Sequence, residues 1–361
     1  MKKKICIILP SLSKGGAEKV AFHILNNLDL EKYELYLLQT LKEGDYVKKL
    51  RKEIKVSVLN SKAARYSIFK IYKELKNIKP DIVIVFSMEL ATVIGLAIVP
   101  FFKNISFIAR ELNIQSLLTK NKLRLYLLRL AYRNYRKIIS QSKDMTNDLI
   151  ENTKVNRSNI VEINNPVDIE EINKVIHNSK EKVFDLEYKN LVCVGRLVEQ
   201  KGFDLIIKIM PLLMKEKIRL YIIGEGQQKQ YLKNLIDSLS LNNIVFLLGK
   251  RENPYVYMKE ADLFILSSRF EGFPNVLVEA NACGTYAICN NCLGGVNEII
   301  SNGMNGEIIN FTEKEKVAEI IKKNLESKKD SYEIVNYIEK KYSIKKIIKK
   351  YEIFLDEVMN K

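Results

Sequence analysis

The sequence predicts an α/β protein of two doubly wound domains, each with a parallel sheet covered by helices on both faces. Apolar runs of strand length alternate with helix-length segments through most of the chain, which is the pattern of a parallel sheet with crossover helices. The 361 residues also exceed what one hydrophobic core usually supports. Two domains of ordinary size are therefore expected.

Six predicted strands occupy the first half of the chain. They span Ile5–Leu9, Glu34–Gln39, Val56–Leu59, Ile82–Phe86, Ser106–Ala109 and Lys137–Ser140. The loop after the first strand contains Gly15 and Gly16, which either let backbone approach a ligand or simply make a tight turn before a helix that begins at Ala17. Ligands of doubly wound sheets bind beyond the carboxyl ends of strands, so Arg110 and Glu111 are also candidate site residues.

Positive charge is concentrated in the first half. The formal net charge is +16, and residues 1–170 contain 30 Lys and Arg against 17 Asp and Glu, a net +13. Such a charge attracts anions of many kinds and carries no information about the fold. Between Leu112 and Lys143 no acidic residue occurs, while basic residues alternate with leucine and tyrosine.

A helix across this basic stretch would bring its charges to one face. At about 100° per residue, four basic side chains fall within about 60° of the direction of Lys122. They belong to Arg129, Arg133, Arg136 and Lys137. The pattern predicts either an ordinary solvated face or docking on an anionic membrane, where each Lys or Arg adds about 1 kcal/mol. Nucleic acid could use the same charges, but no recognised binding module accompanies them.

The second half restarts the strand pattern at Asn190–Val194, and a loop with Arg196 and Lys201 follows. A guanidinium and an ammonium on one loop can clamp a diphosphate, the first through its planar fork and the second as a point charge. The same two residues could instead be ordinary surface charges. Two further predicted strands, Leu220–Gly224 and Val245–Gly249, end in glycine.

A strand, a tight turn and a helix form the central motif of this half. Ala261–Leu266 is an apolar run of strand length, and residues 276–282 contain no helix breaker. Pro274 suits the first helical position, so the free amides that follow it would face an anion such as a phosphate. These amides belong to Asn275, Val276 and Leu277. Glu271 and Glu279 frame the motif, either as solvated residues or as ligands of sugar hydroxyls beside that phosphate.

The five cysteines and two histidines do not form the pattern of a disulfide framework or a zinc site. Cys6 and Cys193 lie in strand-like apolar runs, as small core residues of a reducing compartment do. Cys289 and Cys292 have the spacing of half a zinc site, but the chain has no second pair of this kind. No Asp-Xaa-Asp sequence occurs. We therefore expect no cofactor and no metal.

Several of these segments together resemble the retaining glycosyltransferases of family 4, the group 1 enzymes of bacterial surface polysaccharide and lipid-linked oligosaccharide synthesis. The resemblance spans nearly the whole chain and is densest from Leu191 to Gly306. It is carried by residues 15–18, 165–168, 194–204, 267–279 and 294–306. It implies the GT-B fold, in which two Rossmann-like domains face each other across a cleft and the last helix crosses back to the first domain.

The resemblance also implies domain limits and roles. Residues 1–168 would bind the acceptor, 169–188 would be a linker, 189–340 would bind the nucleotide-sugar, and 341–361 would be the returning helix. Glu271 would contact the transferred sugar. The other implied donor-binding residues are Gly15, Gly16, Arg196, Lys201, Gly224, Lys250, Gly272, Phe273, Asn275, Val276, Leu277 and Glu279.

The implied reaction moves a sugar, from a UDP-linked hexose or N-acetylhexosamine, to a hydroxyl of a polyprenyl-diphosphate-linked glycan, with retention and without metal. Many relatives carry a histidine where this chain has Arg110 and Glu111. That departure leaves Glu111 or the departing phosphate oxygen to accept the proton. Arg110 and the basic stretch would face the acceptor and the membrane. The protein would be cytoplasmic and attached to the inner face of the plasma membrane. The alternatives are a catalytically silent nucleotide-sugar-binding protein on this fold and, less favoured, a nucleic-acid-binding protein.

Overall fold

The computed structural model describes residues 2–13, 15–41, 44–61, 63, 66–119, 121–179, 181–185 and 187–360. The chain divides into two compact units, one of Met1–Pro166 with Ile344–Lys361 and the other of Val167–Ser343. The predicted linker, 169–188, contains a helix that belongs to the second unit, Ile169–His177. No helix in the described ranges is both long and apolar enough to cross a membrane.

The first unit contains a parallel sheet. Its strands in the described residues are β1 (Lys3–Leu9), β2 (Tyr33–Gln39), β3 (Lys55–Val58), β4 (Ile82–Val85), β5 (Ser106–Arg110), β6 (Lys137–Ser140) and β7 (Ile160–Glu162). The spatial order is β3-β2-β1-β4-β5-β6-β7. β1 pairs with β2 on one side and β4 on the other, so the order reverses beside it, where such sheets bind ligands.

Helices cover both faces of this sheet. They include α1 (Gly16–Asn27), α2 (Ile68–Ile78), α3 (Met88–Ala97), α4 (Gln115–Leu118), α5 (Lys122–Tyr132) and α6 (Lys143–Thr153). Ile5 and Ile7 of β1 face a core that contains α1, whereas Cys6 and Ile8 face a second core that contains α3 and α5. Burial on both faces explains why these strands are continuous apolar runs.

The second unit repeats the architecture. Its strands are β8 (Lys189–Val194), β9 (Ile218–Ile223), β10 (Val245–Gly249), β11 (Leu263–Leu266), β12 (Ala287–Asn290) and β13 (Gly306–Ile309), in the order β10-β9-β8-β11-β12-β13. Its helices include α7 (Ile169–His177), α8 (Phe203–Ile207), α9 (Lys229–Ser238), α10 (Pro254–Glu260), α11 (Asn275–Ala282), α12 (Val296–Ile299), α13 (Lys314–Glu326) and α14 (Ser331–Tyr342). The order reverses here between β9 and β11, beside β8.

The last helix, α15 (Ile344–Met359), belongs to the first unit. Ile347, Tyr351 and Phe354 are buried in the same core as α1. Asp356 of α15 accepts a hydrogen bond of 2.9 Å from the hydroxyl of Tyr33 at the start of β2. The prediction that the last helix returns to the first domain is thus confirmed.

Candidate active site

Two loops meet at the carboxyl edge of the second sheet, because β8 and β11 are neighbours there. Lys201 ends a short 3-10 turn, Glu199–Lys201, in the loop after β8, and Glu271 lies in the loop after β11. Lys201 Nζ is 2.6 Å from Glu271 Oε1, with side-chain exposures of 15% and 6%. The fold therefore pairs two predicted site residues that are far apart in the sequence.

The Glu271 carboxylate is fixed by its own loop. Ser268 Oγ donates to Glu271 Oε1 at 2.5 Å, and the Glu271 amide donates to the Leu293 carbonyl at 2.9 Å. Within the described residues no hydrogen bond reaches Oε2, so that oxygen can accept from a ligand hydroxyl. Ser268 was not predicted as a site residue. The available signal was its position, since Ser267 and Ser268 directly follow an apolar strand at the carboxyl edge.

Gly294 lies against the backbone of Glu271. Its φ is +112°, which side-chain-bearing residues rarely adopt, and a Cβ there would come within 1.9 Å of the Glu271 carbonyl oxygen. The loop that supports the carboxylate can approach this closely only because residue 294 is glycine.

The turn before α11 differs from the prediction. α11 begins at Asn275, so Pro274 precedes the helix instead of occupying its first position. The Asn275 amide donates to the Phe273 carbonyl at 2.9 Å, and the Leu277 amide donates to the Pro274 carbonyl at 3.0 Å. The expectation of three free amides is wrong, because the tight turn uses two of them. The Val276 amide has no acceptor among the described residues.

Other predicted donor-binding residues lie around α11. Glu279, half-buried in the second turn, accepts a hydrogen bond of 3.3 Å from the Tyr255 hydroxyl. Gly272 is buried in the turn. Phe273 is 6% exposed and packs edge-to-face on Tyr342, with ring centroids 5.6 Å apart. The Phe273 side chain is therefore a core residue, and its backbone alone lies at the turn.

Arg196 and Lys250 lie on the loops after β8 and β10, and both are exposed. Neither forms an ion pair or a side-chain hydrogen bond within the part of the chain that the structure describes. Gly224 follows β9, and a Cβ there would come within 1.8 Å of the Gly195 carbonyl oxygen. This close contact brings the loop after β9 against the one that carries Arg196.

Gly15 and Gly16 lie in the first unit, at the start of α1. Gly15 is the N-cap, in an extended conformation with φ −144°. A Cβ on Gly15 would come within 2.3 Å of a Glu18 carboxylate oxygen, which lies at the end of a flexible side chain and could move aside. Gly16, the first residue of α1, is exposed.

Arg110 is buried, which corrects its predicted contact with acceptor or membrane. Only 2% of the Arg110 surface is exposed. Its Nε donates to the Tyr351 hydroxyl at 3.0 Å, an Nη2 group donates to the Asn165 side-chain oxygen, and the guanidinium lies 4.8 Å from the Phe86 ring centroid. Arg110 therefore ties β5 to α15 and to the segment that follows β7, and does not face a lipid surface.

Glu111 is 1% exposed, and both carboxylate oxygens accept hydrogen bonds. Tyr132 donates to Oε2 at 2.6 Å, while Gln115 Nε2 and the Leu112 amide donate to Oε1 at 2.6 and 2.8 Å. Burial raises the pKa of Glu111, an effect that these hydrogen bonds oppose. A carboxylate enclosed in this way is poorly placed to take a proton from an acceptor, so the geometry disfavours Glu111 as the base.

The basic stretch does not form one helical face. α5 ends at Tyr132 and β6 begins at Lys137, so Arg133 caps α5 and Arg136 lies outside it. The prediction of a single face is wrong because it assumed a helix through the start of β6. Lys122 is exposed on α5, whereas Arg129 is half-buried. Lys120, in the same stretch, lies outside the described residues.

The cysteine pair forms part of the core. Cys289 is fully buried and Cys292 is 7% exposed. Burial, together with the neighbouring Cys292 thiol, raises the pKa of Cys289 well above its ordinary value. Nowhere in the described ranges do three His, Cys, Asp or Glu side chains cluster so as to hold a metal ion.

The two sheets and the returning helix define the GT-B fold. The structure resembles that of Anabaena Alr3699/HepE in complex with UDP with a TM-score of 0.82 and 20% sequence identity, covering 99% of this chain and 100% of the other. The predicted fold is thus confirmed.

Sequence comparison identifies the family. Residues 14–171 match the profile described as Glycosyltransferase Family 4, and residues 174–341 match the one described as Glycosyl transferases group 1. Together the two matches cover most of the chain, which therefore belongs to the group 1 glycosyltransferases of family 4 and is a glycosyltransferase.

Two curated relatives match over most of their lengths. The N-acetylgalactosamine-N,N'-diacetylbacillosaminyl-diphospho-undecaprenol 4-alpha-N-acetylgalactosaminyltransferase of Campylobacter jejuni is 29% identical over 91% of this chain and 91% of its own. The amylovoran biosynthesis glycosyltransferase AmsD of Erwinia amylovora is 24% identical over 86% of this chain and 87% of its own.

Proposed function

We propose that this glycosyltransferase moves a sugar from a nucleotide diphosphate-sugar to an acceptor hydroxyl with retention of anomeric configuration. The observation that carries the proposal is the Lys201–Glu271 pair at the carboxyl edge of the second sheet. Glu271 keeps Oε2 available for a sugar hydroxyl, while the Lys201 ammonium beside it suits the adjoining diphosphate. The bond to be broken joins the sugar to the diphosphate. Glu271 would contact the sugar and Lys201 the diphosphate.

The departing diphosphate develops negative charge, and this chain supplies groups to stabilise it. Arg196 is exposed and unpaired within the described residues, Lys201 is close by in the same loop, and the Val276 amide lies at the start of α11. Positioned donors of this kind stabilise developing charge most in a site that excludes water. These cationic and amide groups support leaving-group departure without a metal ion.

Retention requires the acceptor to add on the face from which the diphosphate leaves. Since Glu111 is enclosed by its own hydrogen bonds, a departing phosphate oxygen is the better proton acceptor. As the acceptor oxygen bonds to the anomeric carbon, the bond from that carbon to the phosphate oxygen breaks, and the acceptor's proton passes to that oxygen. Glu271 would hold the sugar and Glu279 the ribose through this step.

The relatives suggest the substrates. The Anabaena structure contains UDP, and the Campylobacter relative is named for transferring N-acetylgalactosamine to a diphospho-undecaprenol-linked acceptor. The Erwinia relative is named for the biosynthesis of amylovoran. We therefore propose a UDP-linked hexose or N-acetylhexosamine as donor, a polyprenyl-diphosphate-linked glycan as acceptor, and a role in bacterial surface polysaccharide synthesis.

A lipid-linked acceptor would place the enzyme at the cytoplasmic face of the plasma membrane. The region of α4 and α5 suits such a surface, because large apolar side chains are exposed beside basic ones. The apolar residues are Leu117, Leu118, Leu123 and Tyr126, with exposures of 44%, 47%, 65% and 55%. Exposed Lys122 and Arg124 lie among them. Apolar and basic residues together favour an anionic lipid interface.

The test is a panel of nucleotide-sugars, scored for released nucleotide diphosphate with a bacterial membrane lipid extract as acceptor. We expect release from a UDP-sugar and its loss in Glu271→Gln, which keeps the size of the side chain but removes its charge. Circular dichroism would check that the variant folds. Full activity in Glu271→Gln would contradict the site. UDP binding without release from any donor would favour the catalytically silent alternative.

A further inference from the structure

Arg269 and Asp204 join the two loops that carry Lys201 and Glu271. Arg269 Nη1 and Nη2 donate to Asp204 Oδ1 and Oδ2 at 2.8 and 2.9 Å. Two parallel bonds of this kind fix the direction of the guanidinium as well as its distance. The Asp204 side chain is 8% exposed, so the pair is anchored in the protein rather than tethered at its surface.

Further hydrogen bonds from the loop after β11 hold the residues that precede Lys201. Arg269 Nη1 donates to the Glu199 carbonyl at 2.9 Å, and the Arg269 amide donates to the Gln200 carbonyl at 2.8 Å. The Lys201 carbonyl accepts from Ser267 Oγ at 3.0 Å. The backbone of three consecutive residues that end at Lys201 is thus bonded to residues close to Glu271.

The charge on Asp204 is maintained by its partners. Burial acts to raise the pKa of Asp204, but hydrogen bonds from Arg269 and Lys208 outweigh it and hold the pKa below its ordinary value. The loops also touch through backbone, since a Cβ on Gly202 would come within 2.2 Å of the Ser267 carbonyl oxygen. Because the two loops are in such close contact, a change in the Arg269–Asp204 ion pair would displace Lys201.

We propose that Arg269 and Asp204 are positioning residues, which hold the Lys201 ammonium against the Glu271 carboxylate and so determine where the donor's diphosphate lies. In the described residues neither side chain bonds to the Lys201 ammonium or the Glu271 carboxylate. They act through the loop that Lys201 ends. The inference rests on the proposed function, because it assumes that the Lys201–Glu271 pair binds the donor.

The first test is Arg269→Lys, which keeps the charge but loses the planar fork. We expect kcat/KM for the donor to fall about 100-fold, because a shift of about 1 Å at a reacting group costs that much. Arg219→Lys is the matched control. Arg219 pairs with Asp185 at 3.2 Å near the amino end of β9, at the opposite edge of the same sheet. Similar Tm values with an effect on kcat/KM in Arg269→Lys alone would support positioning.

A double-mutant cycle separates positioning from general stabilisation. UDP affinity is measured by calorimetry for four proteins. They are the wild type, Arg269→Lys, Lys201→Ala and the variant that carries both substitutions. If Arg269 acts through Lys201, Arg269→Lys weakens UDP binding about 10-fold or more in the wild-type background and has no further effect in the Lys201→Ala background. Equal losses in both backgrounds would overturn the proposal.

A third measurement needs no ligand. Lys201 is held by an ion pair and is 15% exposed on its side chain. Its acetylation by N-hydroxysuccinimide acetate, followed by peptide mass spectrometry, should become faster in Arg269→Lys and stay unchanged in Arg219→Lys. Unchanged Lys201 reactivity in Arg269→Lys would overturn the positioning role. If the wild-type protein binds UDP but shows no turnover, only the proposed function is contradicted. The positioning role is still tested by the acetylation rate of Lys201 and by the affinity for UDP.

Discussion

Arg196 and Lys201 have the same predicted role but different surroundings. Arg196 is exposed, so its removal leaves no buried charge behind. Lys201 is mostly buried against Glu271, and truncation of one member of a buried pair leaves the other charge without compensation. The two cations should therefore be distinguishable by experiment even though both would face the diphosphate.

We predict that Arg196→Ala and Lys201→Ala each lose about 2–4 kcal/mol of transition-state stabilisation, as removal of one donor to a developing charge does. Lys201→Ala should also lower stability by up to about 3 kcal/mol, whereas Arg196→Ala should leave it nearly unchanged. Measurements of kcat/KM and of thermal unfolding on the same preparations would check both parts. Undiminished turnover in both variants would remove the clamp from the mechanism.

Single residues also show where sequence reasoning stops. Two separate motifs predicted Lys201 and Glu271 as loop residues, but their 2.6 Å contact arises from the pairing of β8 with β11. Arg110 lies at the carboxyl end of β5, as a site residue would, yet its partners Asn165 and Tyr351 are 55 and 241 positions away. No local pattern distinguishes a guanidinium that points to ligand from one buried by a distant helix.

Secondary-structure elements were more predictable than side-chain environments. The six strands predicted for the first half occur as β1 to β6, because continuous apolar runs are required where both faces of a sheet are covered. β7 was missed, since Ile160–Glu162 is only three residues long. The end of α5 was also missed, because the alternation of basic and apolar residues continues past Tyr132 while the backbone turns toward β6.

For the loops that connect these elements, we predict that Gly294→Ala disables the Lys201–Glu271 site and that Gly303→Ala does not. Both glycines have positive φ, +112° and +85°, so each substitution introduces strain of about 1–3 kcal/mol. A Cβ at Gly294 would also displace the Glu271 carbonyl, 1.9 Å away, whereas at Gly303 nothing described lies within 4 Å. Donor turnover should be lost in Gly294→Ala and retained in Gly303→Ala, with thermal unfolding showing that both variants are still folded at the assay temperature. Equal turnover in the two variants would contradict the supporting role of Gly294.

On the scale of the whole molecule, positive charge is concentrated in the first unit, where residues 1–166 contain 30 Lys and Arg against 15 Asp and Glu, a net +15. The two faces of that unit's sheet differ. α5 packs on one face and exposes Leu123 and Tyr126 near Lys122, while α15 packs on the other face and exposes lysines on its outer side. Charge alone would attract anionic lipid to both faces, whereas apolar insertion would favour α5.

We predict that vesicles rich in anionic lipid sediment the protein at low salt, through α5, and release it at high salt. Screening limits the reach of each charge to about 8 Å at physiological ionic strength. Changing Lys122, Arg124, Arg129 and Arg133 to Gln should weaken binding by several kcal/mol, at about 1 kcal/mol per charge. The matched control removes the same charge from α15 by changing Lys345, Lys346, Lys349 and Lys350 to Gln, and it should bind vesicles more tightly than the α5 variant. Transfer to a soluble acceptor analogue should persist in both. Were the two variants to lose vesicle binding equally, the attraction would come from net charge, and the α4–α5 region would be an ordinary solvated surface.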